Sequence, residues 1–358
     1  MINRPTVLEI NERKFLSNID KIQEYVGSKE LMPVIKANGY GTYINKRLNI
    51  INKFNIVAVA RVDEAIELRE LGYEKEIFLL NQASILELDD IYKYNITIGI
   101  SDKNFIKNIK DKVNCHIEIE TGMNRTGVNI LELDEVVSLI KDNSNINITG
   151  IYTHFSSADD NEEYTNYQID NFTKAYNKLK NIFNFKYIHC SASNGLMNYK
   201  IDFTNLVRPG LIMYGYESFT GSKNIIPVEG IAKLKTQITF LKTIDSGEAI
   251  SYSRRFITNR KSVIATIPVG YADGLRRCMT NKGYVFINNH KCPIVGSVCM
   301  DSCMVDVTEL DKVSVGDEVY IFDNDNITLE DIANIYNTIN YEVLCTISDR
   351  VKRKFIEE

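Results

Sequence analysis

The stretch Val34-Ile35-Lys36-Ala37-Asn38-Gly39-Tyr40-Gly41 ends an apolar run on a lysine and follows it with two glycines spaced Gly-x-Gly. A dinucleotide fingerprint would need a third glycine at position 44, which is Ile44. A Walker loop would need Gly-Lys-Ser or Gly-Lys-Thr further on, and none follows at the right distance. What remains is an amine at the end of a strand, able to form a Schiff base with a carbonyl compound, or an ordinary turn with a solvated lysine.

The elements around this lysine decide between the two. Short apolar runs rich in Val and Ile lie near 31–36, 55–60, 76–81, 96–100, 114–119, 147–153, 185–191 and 205–208. The segments between them read mostly as helices, such as Val62 to Leu71 with Gly72 as its stop. An earlier helix is capped by Asn11, carries Phe15, Ile19, Ile22 and Val26 on one face, and stops at Gly27. Eight strands joined by helical crossovers predict parallel pairing and an α/β fold, a (β/α)8 TIM-type barrel, with an open doubly wound sheet as its rival.

From about residue 228 the pattern turns to short β-rich runs at 236–241, 262–267, 284–287 and 318–322, interrupted by one helix near 329–337. The expected domains are therefore a barrel over 1–227 and a C-terminal β-rich domain over 228–358. In the barrel, Lys36 ends the first strand, on the face where such barrels carry their chemistry.

Composition narrows the partners. The chain has 358 residues, 44% hydrophobic and 25% charged, with a formal net charge of −5, which offers no basic footprint for nucleic acid. No run of 18 or more apolar residues and no signal-like start is present, so no membrane contact and a cytoplasmic location are expected. Seven scattered cysteines fit a reducing compartment. Cys299 and Cys303 have no second ligand pair at zinc spacing, so no metal is expected.

Ser193 follows the seventh strand and Gly210 the eighth, in Arg208-Pro209-Gly210-Leu211. Loops at these two places bind phosphate in such barrels, through hydroxyl and backbone N–H donors. A lysine facing a phosphate site fits pyridoxal 5'-phosphate, with the lysine bonded to the aldehyde.

At this point the sequence resembles the alanine racemases, the fold-type III pyridoxal phosphate amino-acid racemases. The resemblance runs through Lys36 to Gly41, Thr121-Gly122-Met123-Asn124-Arg125-Thr126-Gly127, Thr153-His154-Phe155, Arg208-Pro209-Gly210, Ser251-Tyr252, Gly270-Tyr271-Ala272-Asp273-Gly274 and Cys299-Met300-Asp301. It implies a homodimer whose active sites are shared, and racemisation of a small amino acid, with alanine first and D-alanine for peptidoglycan as the product.

The resemblance also implies roles. Lys36 and Tyr252 are the two bases, one for each face of the substrate Cα. Their reference pKa values of about 10.4 and 10 have to be lowered by cationic neighbours. His154 contacts Tyr252, and Arg208 faces the pyridine nitrogen. Tyr40, Ser193 and the backbone of Gly210 and Leu211 hold the phosphate. Arg125 and Met300 meet the substrate carboxylate, and Tyr271 lines the entrance. Tyr252, Tyr271 and Met300 are expected from the partner chain.

Four positions depart from the family pattern. Glu118 stands where many members have a lysine, often carbamylated, and brings an anion without modification, so that a preserved pairing with Arg125 is expected. Asp349 replaces a tyrosine that binds phosphate and crowds the substrate, so it is expected near the substrate side chain. Thr42 and Ala192 replace a histidine and an asparagine. The alternatives are a racemase preferring serine or another polar amino acid, such as the catalytic part of a vancomycin-resistance serine racemase, a pyridoxal phosphate carrier without turnover, and a fold-type III decarboxylase.

Overall fold

The computed structural model describes residues 4–217 and 225–357. They form two compact units, one of residues 17–213 with 225–228, the other of residues 4–16, 214–217 and 229–357.

The first unit holds all eight expected strands. A parallel path runs through Ile56–Val59, Glu76–Leu79, Thr97–Ile100, Val113–Glu120, Ile146–Tyr152 and Tyr187–His189. Its two ends are joined by the remaining strands. Leu206 and Val207 pair in parallel with Glu30 and Leu31. Arg208 N donates to Ser191 O at 2.9 Å, and Ala58 N donates to Pro33 O at 2.8 Å. The segment 30–35 therefore bonds to the eighth strand on one side and the second on the other, which closes the barrel and excludes the open sheet. Every residue of Ile56–Val59 and Thr97–Ile100 is buried, as expected of parallel strands covered on both faces. Because the strands are parallel, Lys36, Thr121, His154, Ser191 and Arg208 all follow C-terminal strand ends.

Helices supply the covering layer. Asn11 Oδ1 accepts from Lys14 N at 2.8 Å and caps the helix Glu12–Val26. Val62–Leu71 ends at Gly72, whose φ of 99° closes the helix in the left-handed conformation.

The second unit is built on a six-stranded sheet ordered His290–Pro293, Tyr284–Ile287, Glu318–Phe322, Ala232–Gln237, Val7–Asn11 and Lys352–Ile356. A three-stranded sheet of Phe240–Ile244, Ser262–Ile267 and Cys303–Asp306 accompanies it. The strand Val7–Asn11 thus pairs with Ala232–Gln237 and Lys352–Ile356, although the sequence reading places it in the segment 1–227. Its Leu8 and Ile10 are fully buried, and only long-range pairing reveals which core they enter. The expected run 236–241 is two strands meeting at residues 238–239, and Asn340–Cys345 is a second helix beside Leu329–Tyr336.

Candidate active site

The backbone after Lys36 is a single turn of left-handed helix. Ala37, Asn38, Gly39, Tyr40 and Gly41 have φ of 51°, 54°, 58°, 55° and 78°. The turn brings Tyr40, almost fully buried, against the loop after the eighth strand: a Cβ placed on Gly210 would lie 2.6 Å from Tyr40 Oη and 3.7 Å from Ser193 Oγ. Ser193 Oγ accepts from Gly210 N at 3.1 Å. The Tyr40 and Ser193 hydroxyls therefore meet the backbone of Gly210, where no side chain has room. That donor set suits a phosphate, and Leu211, fully buried, continues the same loop.

Among the described residues, Arg208 is the largest fully buried side chain. Its Nη1 donates to His189 Nδ1 at 2.7 Å, and the two N–H bonds of Nη2 are shared among His154 Nδ1 at 3.0 Å, Thr153 O at 2.9 Å and Cys190 O at 3.1 Å. An arginine only donates, so both Nδ1 atoms accept and each ring carries its proton on Nε2. His189 then donates from Nε2 to His116 Nδ1 at 2.9 Å, which places the His116 proton on its own Nε2. Burial first, and then the Arg208 charge, holds His154 and His189 well below the ordinary histidine range. Arg125 and Lys36 push His154 further down. Burial lowers His116 to about 3, and all three rings are neutral at pH 7.

Neutral buried histidines carry a stability signature. His116 and His189 are fully buried, and their folded-state values lie below the unfolded reference of about 6.5. As pH falls below that reference the unfolded chain gains protons that the folded chain does not, so stability is lost on acidification. Each ring contributes up to about 2 kcal/mol of loss between pH 7 and pH 5. Urea midpoints measured across that window should fall, and His116→Phe should flatten the slope by one proton. A midpoint independent of pH, or a slope unchanged in the variant, contradicts the neutral chain of rings.

Glu118 is buried and accepts from Thr126 Oγ1 at 2.9 Å. Burial pushes its carboxyl up, opposed by hydrogen bonds, Thr126 foremost, and by the Arg125 charge. Arg125 is exposed, and the two interact through space rather than in the direct pairing expected of them.

The remaining candidates gather in the second unit. Tyr271 N donates to Cys299 O and Ala272 N to Met300 O, both at 3.0 Å. Ser297 Oγ donates to Tyr252 O at 3.0 Å, and Ser251 Oγ donates to Ser297 O at 2.7 Å. Asp349 is exposed in the turn whose Ser348 bonds Ala272 O and Asp273 O. Tyr252, Tyr271 and Met300 are 71%, 42% and 51% exposed, an apolar group left open to solvent in the single chain.

Several supporting residues escaped the sequence reading. Asp273, its side chain fully buried, takes a two-point contact from Arg4 at 2.6 and 2.7 Å and accepts from Gly270 N at 3.0 Å, which fixes the Tyr271 turn. The only signal for it was its place inside Gly-Tyr-Ala-Asp-Gly. His116 and His189 lie within expected strand runs and Glu64 within an expected helix, and the sequence reading gave none of the three a role.

Comparison with known proteins adds to this geometry. Residues 10–218 match the model for the alanine racemase N-terminal domain, and residues 231–355 that for the alanine racemase C-terminal domain. The alanine racemase of Clostridium novyi is 38% identical, over 99% of this chain and 96% of its own. Among solved structures, the alanine racemase of Clostridium difficile 630 superposes with a TM-score of 0.93 at 33% identity, covering 100% of this chain and 97% of its own. That of Bartonella henselae, with covalently bound pyridoxal phosphate, superposes with a TM-score of 0.90 at 28% identity, covering 99% of this chain and 100% of its own.

Proposed function

The chain belongs to the alanine racemase family, and from that premise we propose that it interconverts L- and D-alanine with pyridoxal 5'-phosphate, as a homodimer in the cytoplasm, supplying D-alanine for peptidoglycan. The observation that carries the reading is the convergence, at the barrel strand ends, of the Lys36 turn, the Tyr40, Ser193 and Gly210 cradle, and the buried Arg208 with its neutral histidines. The scattered positions of the seven cysteines support the reducing compartment.

Lys36 would carry the cofactor, Tyr40, Ser193, Gly210 and Leu211 its phosphate, and Arg208 would face its ring nitrogen. When bound there, the cofactor supplies the electron sink that acidifies the substrate Cα–H. Lys36 Nζ removes or returns that proton on one face, and Tyr252 Oη does so on the other. Arg208 stays protonated in spite of burial, because a guanidinium does not titrate near neutrality. It would therefore donate to an unprotonated ring nitrogen of the bound cofactor and temper the electron sink, which would limit side reactions. His154, neutral rather than the cationic neighbour expected for Tyr252, would present Nε2–H as a hydrogen-bond donor to the Tyr252 oxygen. Arg125 and the backbone of Met300 hold the substrate carboxylate. Tyr271 and Asp349 border the substrate, and the exposed group of Tyr252, Tyr271 and Met300 is the surface that a second copy covers.

The direct experiment offers L-alanine, L-serine and L-lysine to the purified protein with pyridoxal 5'-phosphate and follows the D-enantiomers. Alanine should have the highest kcat/KM. Serine ahead of alanine, or no racemisation, overturns the proposal. Glu118→Gln removes the anion that acts on Arg125 and should raise the KM for alanine by roughly three- to tenfold, an effect of about 1 kcal/mol, with kcat less affected. An unchanged KM would leave Glu118 a packing residue of its strand.

A further inference from the structure

Glu64 sits in the first turn of the helix Val62–Leu71, where a carboxylate ordinarily serves only the helix terminus. Here it does more. Its Oε2 accepts from Ala60 N at 2.8 Å and Arg61 N at 3.2 Å, in the loop after the second strand. Its Oε1 accepts at 2.6 Å from Ala37 N, the amide immediately after Lys36. One carboxylate thus ties together the loops that follow the first and second barrel strands.

The amide it holds begins the left-handed turn. Ala37 and Tyr40 carry a Cβ at φ of 51° and 55°, a conformation that is sterically unfavourable for L-residues other than glycine and, to a lesser degree, asparagine. The turn closes on itself through Gly41 N to Ala37 O at 2.8 Å and Tyr43 N to Asn38 O at 2.7 Å. Gly39, whose φ is 58°, has no room for a side chain, since its Cβ would lie 2.8 Å from Ile44 Cγ2. A strained backbone of this kind persists where its surroundings over-determine it. It governs two functional groups together, because Lys36 enters the turn and Tyr40 belongs to it.

We propose that Glu64 is a positioning residue for Lys36 and Tyr40: its carboxylate clamps the Ala37 amide and so holds the left-handed turn that sets the lysine and the phosphate-binding tyrosine in register. This role rests on the reading of Lys36 as the cofactor lysine. Without the clamp, Ala37 relaxes toward negative φ, and the Lys36 Cα–Cβ direction and the Tyr40 hydroxyl move together.

The test strips pyridoxal 5'-phosphate from the purified enzyme, adds it back, traps the adduct with borohydride at timed intervals and quantifies the label on the Lys36 peptide. Glu64→Ala should label Lys36 about tenfold more slowly than the native enzyme. Adding Ala37→Gly, which removes the Cβ penalty at positive φ, should restore most of that rate, whereas Ala37→Gly alone should change it little. A merely structural role would lower the melting temperature, leave the labelling rate of the folded protein unchanged and show no rescue by glycine, and that result overturns the proposal. If Glu64→Ala does not fold, Glu64→Gln decides: it keeps one acceptor, sets an NH2 against the other amides, and should label at an intermediate rate. Native rates in Glu64→Gln would overturn the role. Absence of Lys36 label in the native enzyme would overturn the cofactor reading and this role with it, whereas native label with unchanged variants overturns this role alone.

Discussion

Lys36→Ala will fold and will racemise alanine about four orders of magnitude more slowly than the native enzyme. Two losses combine in this one change. On the proposed reading the amine that would carry the cofactor is gone, and so is the proton acceptor for one face of the substrate, a contribution of about 10²–10⁴ by itself. The fold should survive because Lys36 is only half-buried, and the strand before it is held by backbone bonds such as Ile35 N to Ala58 O at 2.9 Å. Far-ultraviolet circular dichroism and the urea midpoint check the fold, and a coupled D-alanine assay checks the rate. Activity within tenfold of native would show that Lys36 neither anchors the cofactor nor moves the proton.

Tyr252→Phe is the second large effect, expected at about 10²- to 10⁴-fold in kcat for a lost acid–base group. The substitution removes one oxygen from a side chain that is 71% exposed in the single chain, and the Ser297 contact is to the Tyr252 backbone carbonyl. Stability should therefore barely change. In the proposed homodimer, Lys36 and Tyr252 of one site come from different chains. Mixing the two inactive variants should then yield heterodimers in which one of the two sites has both groups intact, and activity should reappear. Well-formed heterodimers that stay inactive would show that Tyr252 works within its own chain.

What the sequence disclosed follows the range of the interactions involved. Apolar runs such as Ile56–Val59 and turn signals such as Gly72 are local, and they placed the eight strands and the helix stops. The strand-end positions of Lys36, Ser193 and Gly210 were legible because they are local too. Closure of the barrel was not, since it depends on Glu30 and Leu31 meeting Leu206 and Val207 far along the chain. The same holds for Val7–Asn11 against Ala232–Gln237, and for Lys352–Ile356, whose charged sequence masks an edge strand. The polar machinery was least visible. His116 and His189 lie 73 residues apart and meet only across strands, and Glu64 gains its meaning only where Ala37 folds left-handed. In that turn, the glycines at 39 and 41 hinted at positive φ, but Ala37 and Tyr40 gave no such sign.

The central claim is that two groups, Lys36 and Tyr252, serve opposite faces of the substrate Cα. It is tested most directly by running the native enzyme on L-alanine in deuterated water and reading the α-position of both enantiomers by NMR before a tenth of the substrate, roughly, has turned over. With two groups, the removed proton stays on one while the other delivers a solvent-derived deuteron. The D-alanine formed should therefore carry deuterium, and the remaining L-alanine should keep its protium. Protium retained in the product, or deuterium appearing equally in the recovered substrate, would mean that one group reaches both faces and would contradict the account.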